Sequence, residues 1–419
     1  MKKFFLLTVL PLFLAAPLVA QKLTVATKTL EFNNGNWFNG QDFVPGVWYS
    51  VNGLLTQKLP AKIDSVIDLR NRFVIPPSGD GFSSSVAGGA AIDITLQNYW
   101  QEGVFYLQIL GNKRADRAEA TPRLNQIDSP DAIFGNGGIT CTLGKPFLEY
   151  EGPANNVRNP QLWPSKFEEF KTQRKMLEDG YWFIDSKDAL DANWDKIKAQ
   201  NPGLLHIYLL DAENSGGKPG KGLSPEIAKA VVKKAHKADL RVFAHVETAE
   251  DLRLGMKIGV DGFANLPGNT WDGVSDKKMV ELTDDDLKKL AKKKTPVVFL
   301  LALGQTSGGE TPVQAFHSSS LRRAFGAGVK VCIGSNDLQR TTRRELNYWF
   351  SMGDQSVANI LQAICENTPQ AIFPNRKIGK FAEGYEASFI VLRENPLSNL
   401  LKIRMVVFKA KKGILFDAE

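Results

Sequence analysis

The chain has 419 residues, 52 Lys and Arg against 45 Asp and Glu, a formal net charge of +7, and is 43% hydrophobic and 23% charged. This balance is that of an ordinary globular protein and excludes a disordered or collagen-like chain. The basic runs KKAHK (233–237), KKLAKKK (288–294) and KAKK (409–412) are short and carry no interleaved aromatics, so they are expected to be solvated faces, with no nucleic-acid partner.

The first stretch, MKKFFLLTVLPLFLAAPLVAQ, places two lysines before an apolar run that ends in small residues at Ala15, Ala16 and Ala20. That is the layout of a secretory signal peptide over residues 1–20. Pro11 and Pro17 interrupt the run, which is too short for a comfortable span, and no later stretch is long and apolar enough to cross a bilayer. The expectation is an exported chain, periplasmic or secreted, with no stable membrane span. Losing Lys2 and Lys3 with the peptide lowers the net charge to +5. Cys141, Cys332 and Cys365 are odd in number and far apart, so they form no disulfide framework. Cys332, inside VKVCIG, is expected to be a core thiol.

Residues 22–75 alternate and are broken by NNGN, NG and PG turns, which predicts strands. Residues 378–419 have the same character. Neither segment can build a good core alone, so the two are expected to pair into one small composite β-sandwich, 21–75 with 378–419. Between them, over 76–377, strands and helices alternate. FVIPP is taken as the first strand, followed by a helix in AIDITLQNYWQEG and a second strand in VFYLQIL. Residues 112–150 look irregular, with GNGGIT a candidate third strand. Helical pattern runs from Pro164 to Leu177 and from Ser186 to Gln200. LLHIYLL is the fourth strand. Ser224-Pro225-Glu226 starts a helix with proline at its first position. RVFAHV is the fifth strand, Thr248 and Asp251 can cap the helix after it, Gly259 ends that helix, and GFANLPG is the sixth strand. Thr283 caps a helix that begins DDD and ends KKK, in keeping with the macrodipole. TPVVFLL and VKVCIG are the seventh and eighth strands, and a last helix covers about Ser356 to Glu366. Eight such units predict an α/β protein of (β/α)8 barrel type.

At this point the chain resembles the amidohydrolase superfamily, the metal-dependent (β/α)8-barrel hydrolases that include imidazolonepropionase-like and prolidase-like members. The resemblance rests on DSVIDLRNRFVIPP before the first strand, RVFAHVET and GVDGFANLPG at strands five and six, VCIGSND at strand eight, and IGKFAEGYEASFIVLRENPLSNL on the return to the β domain. It implies a hydrolase of C–N bonds. It also implies a His-x-His after strand one, a carboxylated Lys or a Glu on strand four, one His each on strands five and six, and an Asp on strand eight. Such ligands hold one or two divalent ions, which lower the pKa of a bound water.

The residues at those positions are Phe82 and Ser84 for the His-x-His, His206 on strand four, His245 on strand five, Asn265 on strand six and Asn336 on strand eight. Phenylalanine cannot ligate, and serine and asparagine are poor zinc ligands. The whole chain has four histidines, His206, His236, His245 and His317. The expectation is therefore a degenerate member: no cofactor, impaired catalysis, and a role in binding a small-molecule or peptide-like ligand at the barrel mouth, beside an active paralogue. The alternative is an active hydrolase with a rebuilt mononuclear site, zinc or another divalent metal on His206 and His245, with Asp337 as catalytic acid-base or third ligand. Asp337 would have to point inward, which strand alternation opposes if Asn336 does so. Lys145 and His317 are candidates for substrate binding at the mouth. His236 is expected to be a helix residue without a site role. GQTSGG (304–309) and NSGGKPGKG (214–222) do not fit a phosphate-binding loop, and no GxSxG elbow supports a serine hydrolase.

Overall fold

The computed structural model describes residues 28–84, 86, 91–211, 220–305, 311–353 and 355–417. The expected signal peptide lies outside these residues, as do parts of the two Gly-rich loops. Among the described residues no helix is long and apolar enough to cross a membrane.

Both ends of the chain enter one eight-stranded sheet. Its path runs Ile414–Asp417, Val406–Lys411, Phe389–Leu392, Phe73–Ile75, Leu30–Phe38, Phe43–Val51, Leu54–Thr56, with Ser65–Asp68 also paired to Leu30–Phe38. The two ends meet in antiparallel register, Ile390 opposite Ile75 and Leu392 opposite Phe73. Alternation along these strands gives the sheet two apolar faces. Phe32, Trp37, Val74, Phe389 and Val391 form one core, with Phe32 and Phe389 edge to face at 4.9 Å. Ile75, Ile390 and Leu392 turn the other way and join the main core.

The remaining strands are parallel. Ser78–Ser83, Val104–Ile109 and Asp131–Phe134 form a three-stranded sheet. Tyr181–Phe183, Gly138–Thr140, Leu205–Tyr208, Val242–His245, Gly262–Phe263, Pro296–Phe299 and Lys330–Ile333 form a seven-stranded one, in that order. Hydrogen bonds join residues within or flanking strands of the two sheets. Gly203 N donates to Phe134 O at 2.9 Å, and Asn336 N donates to Phe82 O at 2.7 Å. Ser335 adds Oγ to Asp80 Oδ2 at 2.6 Å. One strand face packs on helices: Leu205, Ile207, Val242 and Ala244 lie against Ile227, Val231 and Ala235 of the helix Pro225–His236. The other face packs inward, where Phe82, Leu204, Phe243, Val298 and Cys332 form a separate cluster.

Local chemistry explains the helix starts. Ser224 Oγ accepts from Ile227 N, Thr248 and Asp251 form a reciprocal capping box, and so do Thr283 and Asp286. Gly259 closes its helix in the left-handed conformation at φ 85°. Four expectations need correction. Phe73–Ile75, from FVIPP, belongs to the eight-stranded sheet, and the first parallel strand is Ser78–Ser83. The 112–150 stretch holds the strand Gly138–Thr140 within GNGGIT, as expected, but is otherwise not irregular: it also contains the strand Asp131–Phe134 and the helix Arg114–Ala120, and the helix Phe147–Ala154 begins in it. The Pro164–Leu177 region is α-helical only over Phe167–Gln173, after tighter turns at Pro160–Leu162 and Pro164–Lys166, and an edge strand, Tyr181–Phe183, follows. The last helix continues past Glu366: Val357–Gln362 runs through one π-type segment over Ala363–Asn367 into Thr368–Ile372.

Candidate functional site

The C-terminal ends of the parallel strands bring four rings together. Alternation points His206 and Tyr208 to the same side of Leu205–Tyr208, and parallel register sets Tyr208 beside His245. Tyr208 stacks on His245 at 5.2 Å and lies 4.6 Å from His206, and the two imidazoles are 5.9 Å apart between ring centroids. Phe82 meets both edge to face, at 5.6 Å and 6.3 Å. Gly138 leaves the room Tyr208 needs, since a Cβ there would stand 2.5 Å from the Tyr208 ring.

Both histidines are buried. Neither ring nitrogen of His206 has a hydrogen-bond partner among the described residues, nor has His245 Nδ1. Burial pushes the His206 imidazolium down to about 3. It also holds His245 well below its ordinary value, with the Lys145 ammonium and His206 adding to the effect. Both rings are therefore neutral at pH 7.

The other family positions are engaged with protein. Ser84 Oγ donates to Asn336 Oδ1 at 2.8 Å. Asn336 sits at φ 40°, in the left-handed region that asparagine tolerates. Asn265 Oδ1 accepts from Val246 N at 2.9 Å, while its Nδ2 donates to Val246 O and to Asn269 Oδ1. Thus Asn265 ties two strand ends together by backbone bonds. Asp337 turns elsewhere: it accepts from Gln339 N at 2.9 Å and faces Arg344 Nη1 at 3.4 Å. Lys145 lies 3.5 Å from Glu247 and is partly exposed.

His317, a candidate for substrate binding at the mouth, lies inside the helix Pro312–Gly326, fully enclosed. Its ring nitrogens are engaged by Tyr348 OH at 3.0 Å and Gly268 O at 3.3 Å, so it offers nothing to a ligand at the mouth. His236 ends its helix and bonds Asp261 Oδ2 at 2.8 Å.

Two residues of this region escaped the sequence reading. Tyr208 follows His206 by two positions, which by alternation puts it on the same face. Asp80 precedes Phe82 by two. It is buried, and its carboxylate accepts from Phe82 N, Ser335 N, Ser335 Oγ and Tyr99 OH. Burial nevertheless raises its pKa.

A divalent ion of the family type needs three or more His, Cys or carboxylate side chains around one point. His206 and His245 supply two imidazoles. Among the described residues no group of three or more such side chains is placed to hold an ion. Phe82 has no lone pair to give, and Ser84, Asn265 and Asn336 are spent on protein partners. The residues present do not fit the family's metal pattern.

No protein-family model matches the chain. Over 185 residues it is 26% identical to an ochratoxinase of Aspergillus niger, a match covering 42% of this chain and 37% of that protein. The chain thus aligns with little more than a third of the length of the curated relatives it matches. In fold it is similar to the crystal structure of A. niger ochratoxinase, with TM-score 0.68, 15% identity, and 94% of this chain and 96% of that chain covered. An amidohydrolase crystal structure matches with TM-score 0.68, 16% identity and coverage of 94% and 100%. Molinate hydrolase follows with TM-score 0.66, 14% identity and coverage of 94% and 95%.

Proposed function

We propose that the chain is a member of the amidohydrolase superfamily that keeps the frame of a C–N hydrolase, lacks most of its metal site, and acts as a binding protein with impaired or no hydrolysis; the partial likeness to ochratoxinase and the shared fold of the amidohydrolase structures support this reading. In this reading the two parallel sheets are one (β/α)8 barrel over 76–377, and the segments 21–75 and 378–419 make its companion β domain. The observation that carries the proposal is the Ser84–Asn336 hydrogen bond: two positions that hold ligands in the family are bonded to each other.

Base strength supports the same reading. A general base works best with a pKa near the operating pH, and a His206 imidazolium near 3 makes a weak base. What the buried pair does offer is neutral donor and acceptor nitrogens in an aromatic wall. These suit an uncharged amide, with Lys145 nearby for a carboxylate. The ligand class is therefore small-molecule or peptide-like, and export beside an active paralogue fits such a role.

The test is metal content and turnover of the purified chain, by elemental analysis after incubation with zinc or manganese and dialysis, and by assay on Xaa-Pro dipeptides and N-acyl amino acids. The expected result is metal far below one per chain and no turnover. One zinc per chain, lost together with turnover in His245→Ala, would overturn the proposal in favour of a rebuilt mononuclear site.

A further inference from the structure

A cleft of ≈ 590 Å³ opens between the helices Ile92–Gln101 and Arg343–Ser351. It shares no lining residue with the His206–His245 pair. The volume falls in the range of small-molecule sites. Arg340, Arg343 and Arg344 line it, and Glu102 is the acid among the lining residues.

Much of the negative charge nearby is committed. Glu102 Oε2 accepts from Thr341 Oγ1, and its Oε1 lies 3.0 Å from Arg343 Nε. Asp337 reaches Arg344 at 3.4 Å. Arg340 is exposed and has no ion-pair or hydrogen-bond partner among the described residues. A guanidinium carries five N–H donors, and each of the three arginines gives up one or none of them to these carboxylates. Three like charges within five residues repel unless countered. Glu102 and Asp337 answer two of them and the third is left over. Asn98 and Asn347 add amides to the same walls.

We propose that this cleft binds a small organic anion bearing carboxylate or phosphate groups, clamped by Arg340, Arg343 and Arg344. The planar fork of arginine matches either oxyanion by paired N–H bonds. The inference goes beyond the reading of the strand ends and does not depend on it.

Isothermal titration of the full chain at low salt with citrate, and separately with inorganic phosphate and pyrophosphate, tests it. At least one probe is expected to bind one to one, more weakly as salt rises. Tighter citrate assigns the carboxylate class, and tighter phosphate or pyrophosphate the phospho class. Arg340→Gln and Arg344→Gln should each weaken that binding about tenfold, as loss of a charge-assisted bond does. Arg340 has no partner to lose, so its variant keeps the fold, which circular dichroism verifies. Lys145→Gln, at the strand ends, should bind as wild type does. The proposal is overturned if no probe binds, if Arg340→Gln binds undiminished, or if Lys145→Gln removes the binding.

Discussion

His317 is held between a carbonyl and a hydroxyl, which fixes its protonation. Gly268 O can only accept, so Nε2 carries the proton and donates to it, and Tyr348 OH donates to Nδ1. Burial lowers the imidazolium to about 4, with the Gly268 and Asn269 carbonyls opposing the shift. Between pH 6.5 and about 4 the unfolded chain binds a proton at this residue that the folded chain does not. Stability from His317 is therefore full above pH 6.5 and is lost as pH falls toward 4, by up to about 1.4 kcal/mol per pH unit. We predict that His317→Phe is less stable at pH 7.5 by about 1–3 kcal/mol, since Tyr348 OH and Gly268 O lose their partner. Its urea midpoint should also fall less steeply than that of wild type between pH 6.5 and 4.5. Parallel pH slopes for the two proteins would refute the assignment. The signal for this residue was present in the sequence. Thr311-Pro312 is a helix start, and Thr311 does accept from Gln314 N, which carries His317 onto a helix.

Helices were legible where their caps are local chemistry. Thr283 shows what such a cap contributes. Its Oγ1 accepts from Asp286 N at 3.2 Å, and Asp286 Oδ2 returns to Thr283 N at 3.0 Å while also taking Arg253 Nη2 at 2.8 Å. We predict that Thr283→Ala lowers stability by about 1 kcal/mol and that Thr283→Ser restores most of it, both measured by thermal melts. Equal melts for Ala and Ser would show that the hydroxyl is not what holds the helix start. Strands whose partners are distant were not legible in the same way. Ser78–Ser83 has no apolar run, and it is a strand because its backbone pairs in parallel with Val104–Ile109, while its Asp80 side chain accepts from Ser335, 255 residues away. The site divides likewise. Residue types at Phe82, Ser84, Asn265 and Asn336 could be read directly. That Ser84 bonds Asn336 across 252 residues, and that Asn265 bonds the backbone of Val246, are facts of folding that no local pattern encodes.

Taken whole, the molecule depends on how its terminal sheet is fastened to its parallel core, and one buried ion cluster sits at that joint. Asp131 opens the strand Asp131–Phe134, and Lys411 closes the strand Val406–Lys411. Lys411 Nζ donates to Asp131 Oδ1 at 2.8 Å and to Gln126 O at 2.7 Å. Arg376 Nη1 donates to Asp131 Oδ2 at 2.7 Å, and the same guanidinium grips Glu386 through two bonds of 2.8 Å while lying over Phe373 and Tyr106. Two cations face two carboxylates, so the cluster is neutral as a unit. Burial lowers the Lys411 pKa despite the pull of Asp131 in the other direction. Removing one partner from such a group leaves a buried charge uncompensated, and that is the large effect. Replacing a pair with apolar groups is far milder. Asp131→Ala should therefore cost about 3–5 kcal/mol, and Lys411→Met less, because the ammonium leaves with its own desolvation penalty and Arg376 still holds Asp131. The double variant Asp131→Ala/Lys411→Met should be more stable than Asp131→Ala alone, since it removes the stranded cation. Urea unfolding of the wild type and the three variants closes the cycle. If the two single losses simply add, the aspartate and lysine are not coupled, and the joint between the terminal sheet and the core is held by the apolar contacts of Ile75, Ile390 and Leu392 instead.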